Sequence, residues 1–122
     1  MAAVGCGMGD DREQVRSVVE AYVAALERDD GAGACAQLTP AAREELESSS
    51  GMQCREVVTR LDQQPGAIAA IDIAAVNAQV DLAGGDTAFL ARESEGWRIA
   101  AAGCRPEQGK PADRPYACEV QA

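Results

Sequence analysis

Four cysteines spread along the chain, at positions 35, 54, 104 and 118, constrain its fold more than any other feature, because each pair they form holds two separate segments side by side. Their spacing is unsuited to metal. Neighbours stand nineteen and fourteen positions apart, structural zinc sites need closely spaced pairs of the Cys-x-x-Cys kind, and the chain has no histidine. The missing Cys-x-x-Cys also removes a thioredoxin-like redox motif. Disulfides remain, and they imply an oxidising compartment. Four cysteines allow three connectivities, all open to the sequence. The sequential one, Cys35 with Cys54 and Cys104 with Cys118, is favoured because each bridge would staple neighbouring elements of one region. Loops of this size are worth roughly 3 kcal/mol each in the chain-entropy account.

That contribution matters here. The 122 residues make one domain, and the 47% hydrophobic content comes mostly from alanine and valine. Only Tyr22, Phe89, Trp97 and Tyr116 are aromatic. Small side chains bury less than the roughly 1.5–3 kcal/mol of a large one. Eleven basic against twenty acidic residues give a net charge of -9, which opposes long-range attraction to nucleic acid and to anionic lipid. No apolar run of eighteen residues is present to span a membrane, and no charged-then-apolar signal segment precedes Cys6.

Cys6 is the odd cysteine. Small residues running into Gly5-Cys6-Gly7 resemble the end of a bacterial lipobox, where cleavage before a cysteine precedes its lipidation. The resemblance implies that Met1 to Gly5 are a signal-peptide remnant and that a lipid on Cys6 is the only link to a membrane.

Residues 1–9 are glycine-rich and are expected to form a disordered tether, with a single domain over 10–122. Asp10 and Asp11 are candidate N-caps, each followed three positions on by Glu13 or Gln14. Val15, Val18, Val19, Tyr22, Val23 and Leu26 then make one helical stripe, ended by Asp29, Asp30 and Gly31. Thr39-Pro40 opens a second, polar helix through about Leu46, broken by Ser48, Ser49, Ser50 and Gly51. A third carries Cys54, Val57, Val58 and Leu61 on one face and stops before Pro65-Gly66. Beyond Gly66 the period changes to two. Val76, Ala78, Val80 and Leu82 alternate with polar residues, but no glycine or proline tells whether Ile68 to Leu82 is one strand or two. Ala83-Gly84-Gly85-Asp86 and Ser94-Glu95-Gly96 are turns around Thr87 to Glu93, leading to a strand from Trp97 to Gly103. Arg105 to Pro115 is expected to be a surface loop and Tyr116 to Val120 a short extended segment pinned by Cys118 beside Cys104.

The expected class is α+β, three N-terminal helices packed on a curved antiparallel sheet. This order resembles the NTF2-like fold, also called cystatin-like or α+β cone, and several stretches resemble its actinobacterial lipoprotein members: Val15 to Leu26, Asp30-Gly31, Cys35 to Arg43, Glu95 to Ile99 and Pro115 to Val120. The resemblance spans most of residues 12–120 and implies a cell-envelope protein. It supplies no activity, since one fold hosts many functions.

Relatives of that fold include isomerases and dehydratases with acids or tyrosines inside the cone, where a carboxylate needs an apolar pocket to shift its pKa. The candidates for such chemistry are Asp72, between Ile71 and Ile73, and Tyr22 on the first helix. The bland alternative places Asp72 in solvent and Tyr22 in the core. Without histidine, a His-Asp dyad, a serine triad and a histidine-bound metal are excluded. Gly84-Gly85 does not make a phosphate cradle, and no cofactor is expected. The favoured expectation is a non-catalytic binding module, holding a small apolar ligand in the cone or an envelope protein on its sheet. A domain that only dimerises through its sheet is the third alternative. A binder predicts a lined cavity without converging acids, and an enzyme an enclosed acid or tyrosine with a displaced pKa.

Overall fold

The apolar stripe of the first helix winds into α1, Met8–Glu27, which buries Val15, Val19, Tyr22 and Val23 against the sheet. The computed structural model describes residues 8–106 and 116–121. Cys6, most of the expected tether and most of the expected 105–115 loop therefore lie outside the described residues. At the margins two expectations are corrected: Met8 and Gly9 belong to α1, and Arg105 and Pro106 to a strand. Asp10 and Asp11 are not N-caps but first-turn residues, where carboxylates complement the positive end of the helix dipole. The side chain of Asp11 is engaged elsewhere, by Trp97 and Arg92.

The C-terminus of α1 is a Schellman motif. Asp30 N–H donates to the carbonyl of Ala25 at 2.8 Å and Asp29 N–H to that of Leu26 at 3.1 Å, with Asp29 left-handed at φ 58°. Asp30 then caps α2, Gly31–Cys35, accepting from Gly33 N–H at 2.9 Å. This helix is absent from the sequence expectation, because four residues of glycine and alanine followed by Cys35 carry no period. A Cβ on Gly31 would sit 1.9 Å from the carbonyl oxygen of Arg55, so glycine lets α2 touch the short helix that begins at Cys54. That approach brings Cys35 to Cys54, whose Cα atoms are 6.2 Å apart in their disulfide.

Thr39 caps α3, Pro40–Ser50, through Ala42 N–H, and the helix runs one turn past Leu46. The three serines extend it in solvent, and only Gly51, at φ 74°, ends it. The expected third helix is two short pieces, α4 at Cys54–Val57 and a 3-10 turn at Val58–Arg60. Among the described residues the helical layer thus has four α-helices where three were expected.

Among the described residues six strands form one antiparallel sheet in the order β1-β2-β3-β4-β5, with β6 also on β4. Ile68 to Leu82 is two strands, β1 at Ile68–Ala74 and β2 at Asn77–Leu82, joined by Ala75-Val76. Ala75 takes the left-handed conformation, φ 56°, that glycine would have advertised. β3 is Thr87–Glu93 and β4 is Gly96–Pro106. β5, Tyr116–Ala117, pairs with Arg105 and Pro106, while β6, Val120–Gln121, pairs with Ala101 and Ala102. Leu38 bridges Ile99 on the same side. The β4 edge is thereby covered by the chain's own segments. The second disulfide, Cys104–Cys118, fixes the stretch between β5 and β6 to β4, so the sequential connectivity is the one found.

Ile71, Ala78, Val80, Ala88, Leu90 and Ile99 point from the sheet to the helices and meet Val15, Val19, Leu38 and Val58. Trp97, Leu38, Leu90 and Ile99 are the largest fully buried side chains. Small residues have let the helices close onto the sheet.

Candidate functional site

Two catalytic candidates were legible in the sequence, and strand alternation separates them. Ile71 faces the core, so Asp72, its neighbour in β1, faces the opposite side and is exposed. Tyr22 is buried on the helical side at 3% exposure. Its hydroxyl donates to Gln63 Oε1 at 2.8 Å, and Gln63 Nε2 in turn donates to the carbonyl of Val58. Burial pushes the Tyr22 hydroxyl far above its ordinary pKa, opposed by the Gln63 hydrogen bond and reinforced by the Asp86 carboxylate. At neutral pH it is a neutral hydrogen-bond donor, and Asp72 is not within its side of the sheet.

Beyond Gln63 lies a buried charge that the sequence presented only as a turn residue. Asp86, 2% exposed, accepts Gln64 N–H at 2.6 Å and Arg105 Nε at 3.0 Å. Arg105 also donates to the carbonyl of Asp62 and lies 4.0 Å from Glu119. A Cβ on Gly84 would stand 2.4 Å from the carbonyl oxygen of Gln64, so that glycine admits the 62–66 segment against the β2-β3 turn. These contacts lock the approach to β1 onto the end of the sheet. Their role is structural. Among the described residues every buried side-chain nitrogen and oxygen has a partner, and no group of three or more potential ligands could hold a metal.

The sheet's outward face is different. Phe89 pairs with Gln79 across β2-β3 and stands out of phase with the buried Ala88 and Leu90. The ring of Tyr116 meets it edge-on, with centroids 5.1 Å apart at 72°. Beside Phe89 a shallow depression of about 260 Å³ is lined by Asp72, Asn77 and Gln79 among others. The sequence carries no clear signal for this surface, since one phase of β3 holds Thr87, Phe89, Ala91 and Glu93 and the other Ala88, Leu90 and Arg92.

Two further depressions open on the helical side. One of about 240 Å³ lies between the end of α1 and the 58–65 segment, lined by Leu26, Val58, Leu61 and Pro65. The other, about 400 Å³, adjoins the Cys35–Cys54 bridge and carries Arg43, Glu47 and Arg55. All three open to the surface. At the opposite end of the sheet Asp11 accepts from Trp97 Nε1 at 3.2 Å and from Arg92, whose guanidinium stands 5.5 Å over the indole. The Trp97 hydrogen bond first, then that of Arg92, hold the Asp11 carboxyl below its usual range.

No family model, no curated protein and no solved structure matches this chain.

Proposed function

We propose that the chain is an extracytoplasmic, non-catalytic binding module of the bacterial cell envelope, NTF2-like in its ancestry, tethered by a lipid on Cys6, and that it engages a protein partner through the outward face of its sheet. One observation carries this choice of surface: Phe89 and Tyr116 are paired outside the core beside a depression, while the large side chains of the sheet's other face are spent in the interior. Aromatic residues on an otherwise polar, small-residue surface are the side chains that anchor protein contacts. The two disulfides belong to an oxidising compartment. The helix-then-sheet order supports the NTF2-like ancestry, and the Gly5-Cys6-Gly7 context supports the anchor.

The partner surface is tested by placing a photoreactive amino acid at Gln79 in exported protein, with Glu20 on the far side of α1 as control. A discrete cross-linked species is expected from position 79 alone, and it should vanish in Phe89→Ala. Cross-linking that survives Phe89→Ala, or a small molecule retained by the purified chain in native mass spectrometry, would overturn this assignment. The anchor is tested separately by lipid-probe labelling of the precursor, which Cys6→Ala should abolish.

A further inference from the structure

Three side chains of the outward face stand in one row across the sheet. Asp72 pairs with Gln79 and Gln79 with Phe89, so the carboxylate and the ring sit two strand spacings apart, about 9.6 Å, with the amide between them. Two residues further along the same face Ala74 pairs with Asn77. This step down in size opens the depression of about 260 Å³ that Asp72, Asn77, Gln79 and Phe89 line.

The chain's own groups leave the hollow with a negative charge and no positive one. Asp72 is exposed, and no basic group of the described residues lies within ion-pair distance of it. Arg98, on the same face in β4, donates instead to the carbonyl of Trp97 at 2.7 Å. Gln79 turns its Nε2 to Asp81 Oδ1 at 3.3 Å, which directs that donor along the strand. Tyr116 stands edge-on to Phe89 without lining the depression, so the ring is steadied and still borders the hollow.

We propose, on the reading of this face as the partner surface, that the depression receives an arginine side chain of that partner, its guanidinium lying between the Asp72 carboxylate and the face of Phe89. The dimensions agree. A cation within about 6 Å of a ring centroid and about 4 Å of a carboxylate spans roughly the two strand spacings that separate these residues. Guanidinium suits the place better than an ammonium, because it is planar and weakly hydrated and can stack on a ring while its edge donates to a carboxylate. The chain already contains this constellation at the other end of the sheet, where Arg92 lies 5.5 Å over Trp97 and donates to Asp11. Around Phe89 the acid and the ring are present and the arginine is left for the partner to bring. The net charge of -9 favours the approach of a basic segment.

The test titrates the full chain, with Cys6→Ser to prevent an intermolecular disulfide, with the peptide Gly-Gly-Arg-Gly-Gly and with the same peptide carrying citrulline, the neutral isostere. The arginine peptide should shift the amides of Asp72, Asn77, Gln79 and Phe89 and saturate at roughly millimolar concentration, a range expected of so small a ligand. Citrulline should leave them in place. Asp72→Asn and Phe89→Leu should each weaken binding about threefold, as loss of an exposed ion pair or a surface cation–π contact does. Glu20→Gln removes the same charge from exposed α1 and should leave binding unchanged. Equal binding of the two peptides, or a loss in Glu20→Gln as large as in Asp72→Asn, overturns the proposal. So do shifts at these amides that grow with protein concentration alone, which would put a second copy in the hollow. Cross-linking from position 79 separates this proposal from the one it builds on. A cross-link that Phe89→Ala abolishes and Asp72→Asn leaves intact keeps the partner surface and overturns the arginine, whereas arginine-selective binding without any cross-link supports the hollow and overturns the protein partner.

Discussion

Replacing Asp86 by alanine should destabilise this protein more than any other exchange of a polar residue, and the structure sets the size. The carboxylate is 2% exposed and accepts two hydrogen bonds, one from Gln64 N–H and one from Arg105 Nε. Bonds to a charged group are worth about 1.5–3 kcal/mol each. The Arg105 side chain is 37% exposed, so water partly replaces its lost partner and the lower end of that range applies. Asp86→Ala is therefore expected to cost about 3 kcal/mol, which in a domain of this size lowers Tm by roughly 10–15 °C. Asp86→Asn keeps an acceptor oxygen and loses the charge, and about half that cost is expected. Urea and thermal unfolding with both disulfides intact measure these values. A double-mutant cycle with Arg105→Ala should return a coupling of at least about 1 kcal/mol, because the two residues share one contact. Asp86→Ala melting within about 2 °C of wild type, or strictly additive Asp86 and Arg105 losses, would refute the argument that this pair locks the 62–66 segment to the sheet.

Asp29→Gly should stabilise by up to about 1 kcal/mol, since the Schellman position at φ 58° costs a residue with a Cβ more than it costs glycine; thermal melts check it. Asp11 has a lowered folded pKa, so its contribution is present above its unfolded value near 3.8 and is lost as pH falls through the folded one; the stability gap between wild type and Asp11→Asn should be flat at neutral pH and close below about pH 4. Tyr22 has a raised pKa, so the stability linked to its neutral form is complete below its ordinary value of 10.0 and is lost as pH rises beyond it; ultraviolet titration of the native protein should show no Tyr22 phenolate at pH 10, judged against Tyr22→Phe. Mild reduction followed by alkylation and mass mapping should open Cys104–Cys118 first, because Cys118 is half-buried while Cys35 and Cys54 are both buried. Labelling of Cys35 or Cys54 ahead of Cys118 would reverse that order.

Local periodicity made α1 and the β2-β3-β4 meander legible, since the residues that define each element are neighbours along it. The break between β1 and β2 was not, because Ala75 adopts a glycine-like conformation without being glycine. Helix α2 was hidden for a related reason: its cap, Asp30, was equally good as the end of α1, and it serves as both. The four cysteines marked the staples, but their partners became definite only when Gly31 allowed α2 against α4 and Cys104 met the β5-β6 segment. The candidate site followed the same division. Phe89 was visible only as one of four aromatics, because neither phase of Thr87 to Glu93 is purely apolar and its outward side became definite with the register, whereas Asp86 carried only the signature of a turn, its arginine partner being 19 positions away.

The contrast between inside and outside explains why sequence pattern reached the fold and stopped short of the function. Periodicity reports which side chains enter the core, and here the core side chains are apolar or, like Tyr22 and Asp86, already satisfied by protein groups. The partner surface proposed above lies outside that interior, on the outward face around Phe89, and among the described residues the sheet leaves one edge open at the backbone of β1. Neither is defined by a period. The first depends on Tyr116 returning from the far end of the chain to stand against Phe89, and the second on Leu38 and β6 having closed the β4 edge so that β1 alone is left open. Both are products of long-range closure, which the Cys104–Cys118 disulfide reinforces: apart from it, β5 and β6 are held on β4 by ladders of only two residue pairs each.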